Sequence, residues 1–149
     1  MRILRYASLV KDFDIYSLLG DRHPHACLHD SPIQQINVDY LRREVVIACL
    51  LAVSDPDDNQ PDETYARGQF TFTGMKYFVA EAPHDKYGYD DPKGLDIAAE
   101  GSLSLEEMIE KYPTLPRDLD DDVFVYFFYA TTGNTFIFIA ANDAHFIWL

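Results

Sequence analysis

Five potential metal ligands stand within eight residues of the sequence: His23, His25, Cys27, His29 and Asp30. A thiolate combined with imidazoles would suit zinc or copper. Ligands at every second position surround one tetrahedral ion only if the backbone is extended, and the sequence has no second block of ligands at the usual zinc spacing. A polar loop that docks on the sheet is therefore the preferred interpretation, and a zinc site on the three histidines and the cysteine is the alternative.

The neighbours His29 and Asp30 could also act as a general base and its orienting carboxylate. Together with His25 they form the basis of a second alternative, a metal-dependent or acid-base enzyme. The structural interpretation, which we prefer, is that Asp30 caps the turn before Pro32 while His29 covers the sheet edge. The sequence contains no G-x-S-x-G, G-x-x-x-x-G-K or H-E-x-x-H motif, so no catalytic residue is assigned.

Two acidic segments are the candidates for contact with a protein partner. The first, which we call the acidic run, lies just before the aromatic C-terminal strands and comprises Asp118, Asp120, Asp121 and Asp122. The second lies in a predicted loop and comprises Tyr87, Tyr89, Asp90 and Asp91. The acidic run could face a basic partner or, as we prefer, keep a hydrophobic strand from aggregating. No strand or helix pattern obliges the two loop tyrosines to be buried, so they are the preferred contact residues.

The charge of the chain excludes some classes of partner. The 149 residues include 25 Asp and Glu against 12 Lys and Arg, a formal net charge of -13. Such a field repels phosphate backbones and anionic headgroups, which argues against nucleic-acid and membrane-surface roles and favours a basic protein partner or a cation. The two cysteines form no CxxC pair, and the sequence shows no secretory signal and no apolar run of membrane-spanning length. We therefore expect a cytoplasmic protein with reduced thiols.

Alternation of apolar and polar residues predicts strands in the middle of the chain. Residues 36–40 alternate, and residues 45–53 form an almost continuous apolar run, which is typical of a central strand covered on both faces. Residues 41–44 between them are expected to form a polar turn. Residues 68–72 and 76–82 are two further predicted strands.

Gly74 separates those two further strands, which indicates either a bulge that redirects the strand or a tight hairpin turn, and we prefer the turn. The segment 84–101 contains three glycines, a proline and paired acids, so it is expected to be a long surface loop.

Three aromatic and β-branched segments end the chain, over 123–130, 135–141 and 145–149, and they predict a three-stranded meander. Ser104 with Glu107 forms a capping-box signature for a short helix near 104–112, and irregular helical turns are expected at the N-terminus. The expected fold class is α+β: one domain over 1–149, mainly an antiparallel β-sheet. An exposed edge of the meander could pair with another copy, so a homo-oligomeric scaffold domain is a third alternative.

Several of these segments resemble small bacterial immunity-type and uncharacterised β-rich domains: residues 29–33 leading to 36–39, then 45–51, then 68–74. The resemblance covers about the middle third of the chain. It implies a cytoplasmic inhibitor of a toxin, with no catalytic residues to carry over. The preferred hypothesis is therefore a non-enzymatic protein-interaction module whose acidic loops and tyrosines bind a basic protein.

Overall fold

A computed structural model of the chain describes residues 11–55, 57, 64–82 and 93–149. The described strands form one open antiparallel sheet in the order β4-β7-β6-β5-β1-β2-β3-β8. They are β1 (Pro32–Asp39), β2 (Glu44–Ala52), β3 (Tyr65–Thr73), β4 (Tyr77–Ala80), β5 (Leu95–Ser102), β6 (Phe124–Ala130), β7 (Thr135–Ala141) and β8 (Asp143–Trp148). A 3-10 helix covers Ile15–Leu18, and one α-helix, α1, covers Leu105–Lys111. The predicted antiparallel sheet, short helix and N-terminal helical turn are confirmed.

Strands β1 and β5 meet along a short seam, since they share only the pairs Pro32↔Asp96 and Ile33↔Leu95. This seam divides the sheet into a first half-sheet, β1-β2-β3-β8, and a second half-sheet, β4-β7-β6-β5. The half-sheets face one another: the ring of Phe72 on β3 lies 6.2 Å from that of Phe124 and 6.5 Å from that of Phe128, both on β6. The principal core therefore lies between the two halves of one sheet.

Strand β2 shows how the sequence pattern fixes the inner face. Its odd-numbered residues from Val45 to Leu51 are buried, while the even-numbered residues between them are only half-buried. Side chains alternate between the two faces of a strand, so the buried set points into the core. The prediction that this strand is covered on both faces is wrong in the described structure, because the outer face of the first half-sheet is only partly covered.

The outer face of the second half-sheet is covered by α1 and the segment that follows it. Ser104 caps the helix: its Oγ accepts the Glu107 N–H at 3.1 Å, and the Glu107 carboxylate accepts the Ser104 N–H at 3.3 Å. Met108 is fully buried, and it belongs to a second apolar cluster that includes Val125 and Phe138. Neither helix in the described residues has the length and apolar character that a membrane crossing requires.

The corner at Gly74 is not a hairpin turn. Strand β3 pairs with β2 and β8, whereas β4 pairs with β7, so the chain crosses from the first half-sheet to the second at this point. Gly74 has φ +63°, and a Cβ there would stand 2.2 Å from Oδ1 of Asn142. Asn142 lies between β7 and β8, where the chain crosses back. The two crossings therefore share one tightly packed corner that requires glycine.

The prediction of a three-stranded C-terminal meander is only partly correct. Strands β6 and β7 are neighbours, but β8 pairs with β3 at the far edge of the sheet. Gly68 explains this placement, because a Cβ there would stand 2.4 Å from the ring of Phe146, which fills the space above the glycine. The long surface loop predicted over 84–101 is likewise wrong for its last part, which forms β5.

Candidate functional site

The acidic run connects α1 to β6 and is fastened by apolar side chains on either side of the acids. Leu119 and Val123 are buried, and the Val123 N–H donates to the Asp120 carbonyl at 3.2 Å. The four carboxylate side chains are exposed. Within the described ranges, none of them forms an ion pair with a Lys or Arg side chain. The run thus presents a fixed row of carboxylates to solvent.

The acidic run lies at the same end of the sheet as the crossing corner and the turn between β1 and β2. The side-chain amide of Asn142 donates to the Asp122 carbonyl at 3.3 Å. Asn142 also packs against Gly74, and the next residue, Met75, donates its N–H to the Arg43 carbonyl at 2.9 Å. These contacts join four chain segments that are remote in sequence.

The β1–β2 turn at this end exposes two large apolar side chains. Leu41 is 99% exposed and Tyr40 is 72% exposed. The turn is held in place because Asp39 Oδ1 accepts the N–H groups of Leu41 and Arg42, each at 3.0 Å. We call the surface formed by this turn, the corner at Gly74, the corner at Asn142 and the acidic run the Leu41 end. Sequence reasoning classified 41–44 as a polar turn and missed Leu41, although an apolar residue at a turn tip was the available signal.

The other predicted contact segment, with Tyr87, Tyr89, Asp90 and Asp91, lies outside the described residues.

The predicted metal ligands make four separate contacts. The His23 ring packs edge-on against Trp148 with centroids 4.6 Å apart. His25 Nε2 lies 3.4 Å from Asp55 Oδ2, and Cys27 Sγ lies 4.0 Å from the Tyr16 hydroxyl oxygen. His29 Nδ1 lies 3.0 Å from its neighbour in sequence, Asp30. Among the described residues, no three His, Cys, Asp or Glu side chains come together in a way that could hold a metal ion.

His29 and Asp30 do make the contact that a base and its orienting carboxylate would need, but both side chains are more than half exposed. The prediction that Asp30 caps the turn before Pro32 is wrong for the part of the chain that is described. Ser31 holds this turn instead: its buried Oγ donates to the Cys27 carbonyl at 2.6 Å and accepts the Ala52 N–H at 2.9 Å. The loop is therefore tied to β2 by a serine.

A cluster of two tyrosines around Glu100 was missed by sequence reasoning. The Tyr126 hydroxyl donates to Glu100 Oε2, and the Tyr16 hydroxyl donates to Glu100 Oε1 at 3.4 Å. The pKa of Tyr16 is raised to about 12, chiefly by burial; the hydrogen bond from the Leu28 N–H opposes this rise, and the charges of Cys27 and Glu100 add to it. Burial also raises the pKa of Tyr126.

Both phenols therefore stay protonated at neutral pH and act as hydrogen-bond donors rather than as bases. The cluster fastens the N-terminal segment to β5 and β6.

The buried thiol and phenol groups make the stability of the fold sensitive to alkaline pH. Burial raises the pKa of the Cys49 thiol from its ordinary 9.0 to about 12, and it raises the pKa of Tyr16 as well. A group whose pKa is higher in the folded state adds stability below its unfolded pKa and loses it as the pH rises. We expect the free energy of unfolding, measured by urea titration, to fall from about pH 9 upward.

The Cys49→Val variant should delay the onset of this fall to about pH 10, where the tyrosines begin to titrate. A free energy of unfolding that is constant between about pH 8 and pH 11 would contradict the assignment.

Comparison with known proteins finds no match to this chain among protein families, curated proteins or solved structures.

Proposed function

We propose that this chain is a non-enzymatic protein-interaction module that binds a basic protein through the Leu41 end. One observation carries the proposal: a row of exposed carboxylates, unpaired with Lys or Arg in the described structure, is linked by hydrogen bonds and packing to the turn that carries the almost completely exposed Leu41. Exposed apolar anchors surrounded by charge are the usual composition of a protein-binding patch.

The two parts of the surface have different tasks. Unpaired carboxylates on a protein of formal charge -13 attract a cationic partner over roughly a Debye length and raise its association rate. Leu41 and Tyr40 provide apolar area that a partner could bury, and buried anchors of this kind set the dissociation rate. The turn that carries them is already fixed by Asp39, so little conformational entropy is lost on binding.

Basic side chains at the Leu41 end restrict the orientation in which a charged partner can bind. Arg42 and Arg43 directly follow Leu41 in the turn and are exposed. Lys11 is already engaged, because its Nζ donates to the Asn142 carbonyl at 3.1 Å. A partner that is complementary to this surface would therefore place acidic groups against the two arginines and basic groups against the acidic run.

An immunity-type inhibitor of a basic toxin in the cytoplasm would be a protein of this kind. The resemblance of the middle segments to immunity-type domains supports this form of the proposal. The natural candidate partner is the product of a reading frame adjacent to the coding sequence.

The proposal predicts that removal of charge matters only at the Leu41 end. The triple variant Asp120→Asn, Asp121→Asn, Asp122→Asn should associate with that candidate partner about tenfold more slowly than the wild type at low salt. The control is Asp21→Asn, Asp57→Asn, Glu110→Gln, which removes the same formal charge from exposed positions on other elements. Surface plasmon resonance at two salt concentrations measures both rates.

A second test uses Leu41→Ser, which should raise the dissociation rate about tenfold or more. It should leave thermal unfolding unchanged, because the Leu41 side chain is almost completely exposed. The proposal fails if the two triple variants slow association equally, since that result would assign the effect to net charge alone. It also fails if Leu41→Ser leaves the dissociation rate unchanged.

A further inference from the structure

The two edges of the sheet differ in how they are protected against pairing with another chain. Strand β4 has only four residues and is followed by the exposed Glu81. Strand β8 has six residues and keeps a regular register with β3 from Thr73↔Asp143 to Gly68↔Trp148. It contains no lysine, proline or bulge, which are the usual protections of an edge strand. The N-terminal segment touches this strand through the Trp148 side chain, whose Nε1 donates to the Leu19 carbonyl at 3.0 Å and whose ring packs against His23. Among the described residues no main-chain group pairs with the outer edge of β8, so this is the edge that can accept a further strand.

The pairing with β3 shows which main-chain groups of β8 are free. The Leu149 N–H donates to the Arg67 carbonyl at 2.9 Å, so the main-chain groups of odd-numbered residues face β3. In an antiparallel ladder, residues alternate between the two neighbours. The N–H and C=O groups of Phe146 and Trp148 therefore face away from β3, where no described residue pairs with them.

Asp143 marks one end of this free edge. Its Oδ1 accepts the N–H of Ala144 at 2.8 Å, so the carboxylate already satisfies that donor. The donors that remain on the edge, in the part of the chain described, are those of Phe146 and Trp148. A strand that pairs here would thus be directed toward the Leu149 end of β8.

The outer side of the same strand is apolar where the edge is free. Ile147 is 53% exposed and Leu149 is 56% exposed, which places two of the few exposed large apolar side chains next to the unpaired groups. Their partners on the neighbouring strand β3 are Gln69 for Ile147 and Arg67 for Leu149. An added strand would place its own side chains beside both apolar side chains while its main chain paired with the edge.

We propose that β8 is a self-association edge, at which a second copy of this chain adds its own β8 in antiparallel orientation with Ile147 opposite Ile147 of the second copy. In this register Phe146 lies opposite Trp148 of the second copy, and the two residues exchange N–H···O=C bonds in both directions. The free donors are then satisfied, and Asp143 stays outside the paired segment and keeps its own bond.

The register explains why a second copy suits this edge. A two-fold axis normal to the sheet at Ile147 places the free main-chain groups of Phe146 opposite those of Trp148 of the second copy, and those of Trp148 opposite those of Phe146. The two Ile147 side chains meet as a pair without hydrogen bonds, which is the closer kind of cross-strand contact. Leu149 then lies opposite His145 of the second copy.

The dimer is expected to be weak and to strengthen with salt. One strand pair gives an interface at the low end of known sizes, where association is weak and transient. Each copy carries a formal charge of -13, so the copies repel one another at low ionic strength. This salt dependence is opposite in sign to that of the basic partner at the Leu41 end, so the two proposals can fail separately.

Sedimentation velocity over a concentration series provides the first test. The wild type should form dimers, and Ile147→Lys should weaken self-association at least about tenfold because two ammonium groups would meet across the axis. The matched control is Ile109→Lys, which places the same charge on an apolar residue of α1 that is 49% exposed. A chain that stays monomeric up to about 1 mM overturns the proposal, and so does a dimer that Ile147→Lys leaves unchanged.

Disulfide trapping tests the register itself. In a Cys27→Ser background, Ile147→Cys should form a disulfide-linked dimer on mild oxidation, because opposed residues without hydrogen bonds have Cα atoms about 4.5 Å apart, within disulfide range. His145→Cys is the control and should give little cross-linking, since it lies opposite Leu149 of the second copy. Equal trapping at both positions, or trapping at His145→Cys alone, overturns the register.

Discussion

Replacing Phe72 with alanine is expected to lower the free energy of unfolding by about 3–5 kcal/mol, a large part of the total stability of a domain this size. Phe72 is fully buried, and its ring meets those of Phe124 and Phe128 across the gap between the two half-sheets. Its removal would leave a cavity that neither half-sheet can close without breaking its own ladder. Urea unfolding followed by tryptophan fluorescence measures the loss.

The matched control for this variant is Tyr40→Ala, which removes an aromatic side chain that is 72% exposed at the Leu41 end. We expect a change within about 0.5 kcal/mol, because an exposed side chain loses few contacts on truncation. A similar loss of stability in both variants would contradict the assignment of Phe72 to the bridge between the half-sheets.

Replacing Gly94 with alanine is expected to cost about 2–4 kcal/mol and to loosen the seam between β1 and β5. Gly94 has φ +133°, a conformation that an alanine adopts only with strain. A Cβ at this position would also stand 2.2 Å from the Ile33 carbonyl oxygen, which belongs to the backbone of β1 and cannot rotate away. The seam has so few pairs that a displacement of β1 there separates the two half-sheets.

Amide hydrogen exchange locates the effect of this substitution. The Asp30 N–H donates to the Ile97 carbonyl at 2.8 Å, and the Ile97 N–H donates to the Ser31 carbonyl at 3.1 Å. Both amides should lose protection in Gly94→Ala, while amides in the middle of β2 keep theirs. The control is Gly20→Ala, because Gly20 also has a positive φ but a Cβ there meets nothing within 4 Å. Its expected cost is about 1 kcal/mol, and equal losses in the two variants would argue against the clash.

Sequence reasoning succeeded where one segment determines its own structure. The alternation in 36–40 and 68–72 and the capping box of Ser104 and Glu107 are local signals, and the structure has β1, β3 and α1 at those places. It failed for β5, whose sequence LDIAAEGS has few β-branched residues. That strand exists because β6 pairs along it and β1 meets it at the seam, and such tertiary context overrides a weak local propensity.

In the candidate site, too, local features were predicted from the sequence and contacts between remote segments were not. The exposure of the acidic run follows from its own residues and was expected. The proximity of Leu41 to the acidic run was not expected. It depends on the contacts at Gly74 and Asn142, which no periodicity in the sequence reveals. The position of β8 was hidden for a similar reason: it depends on the space that Gly68 leaves for Phe146 on another strand.

The crossing of β8 back to β3 also shapes the way the chain must fold. Residues Gly68 and Trp148 are partners in the ladder although most of the chain's second half separates them in sequence. Closing such a large loop is slow, since its entropy must be lost before the contact forms. Until β8 arrives, β3 is itself an open edge, and the rings of Phe70 and Phe72 lack part of their cover. The nascent chain is therefore exposed to misassembly in the interval before β8 has been made and has paired with β3.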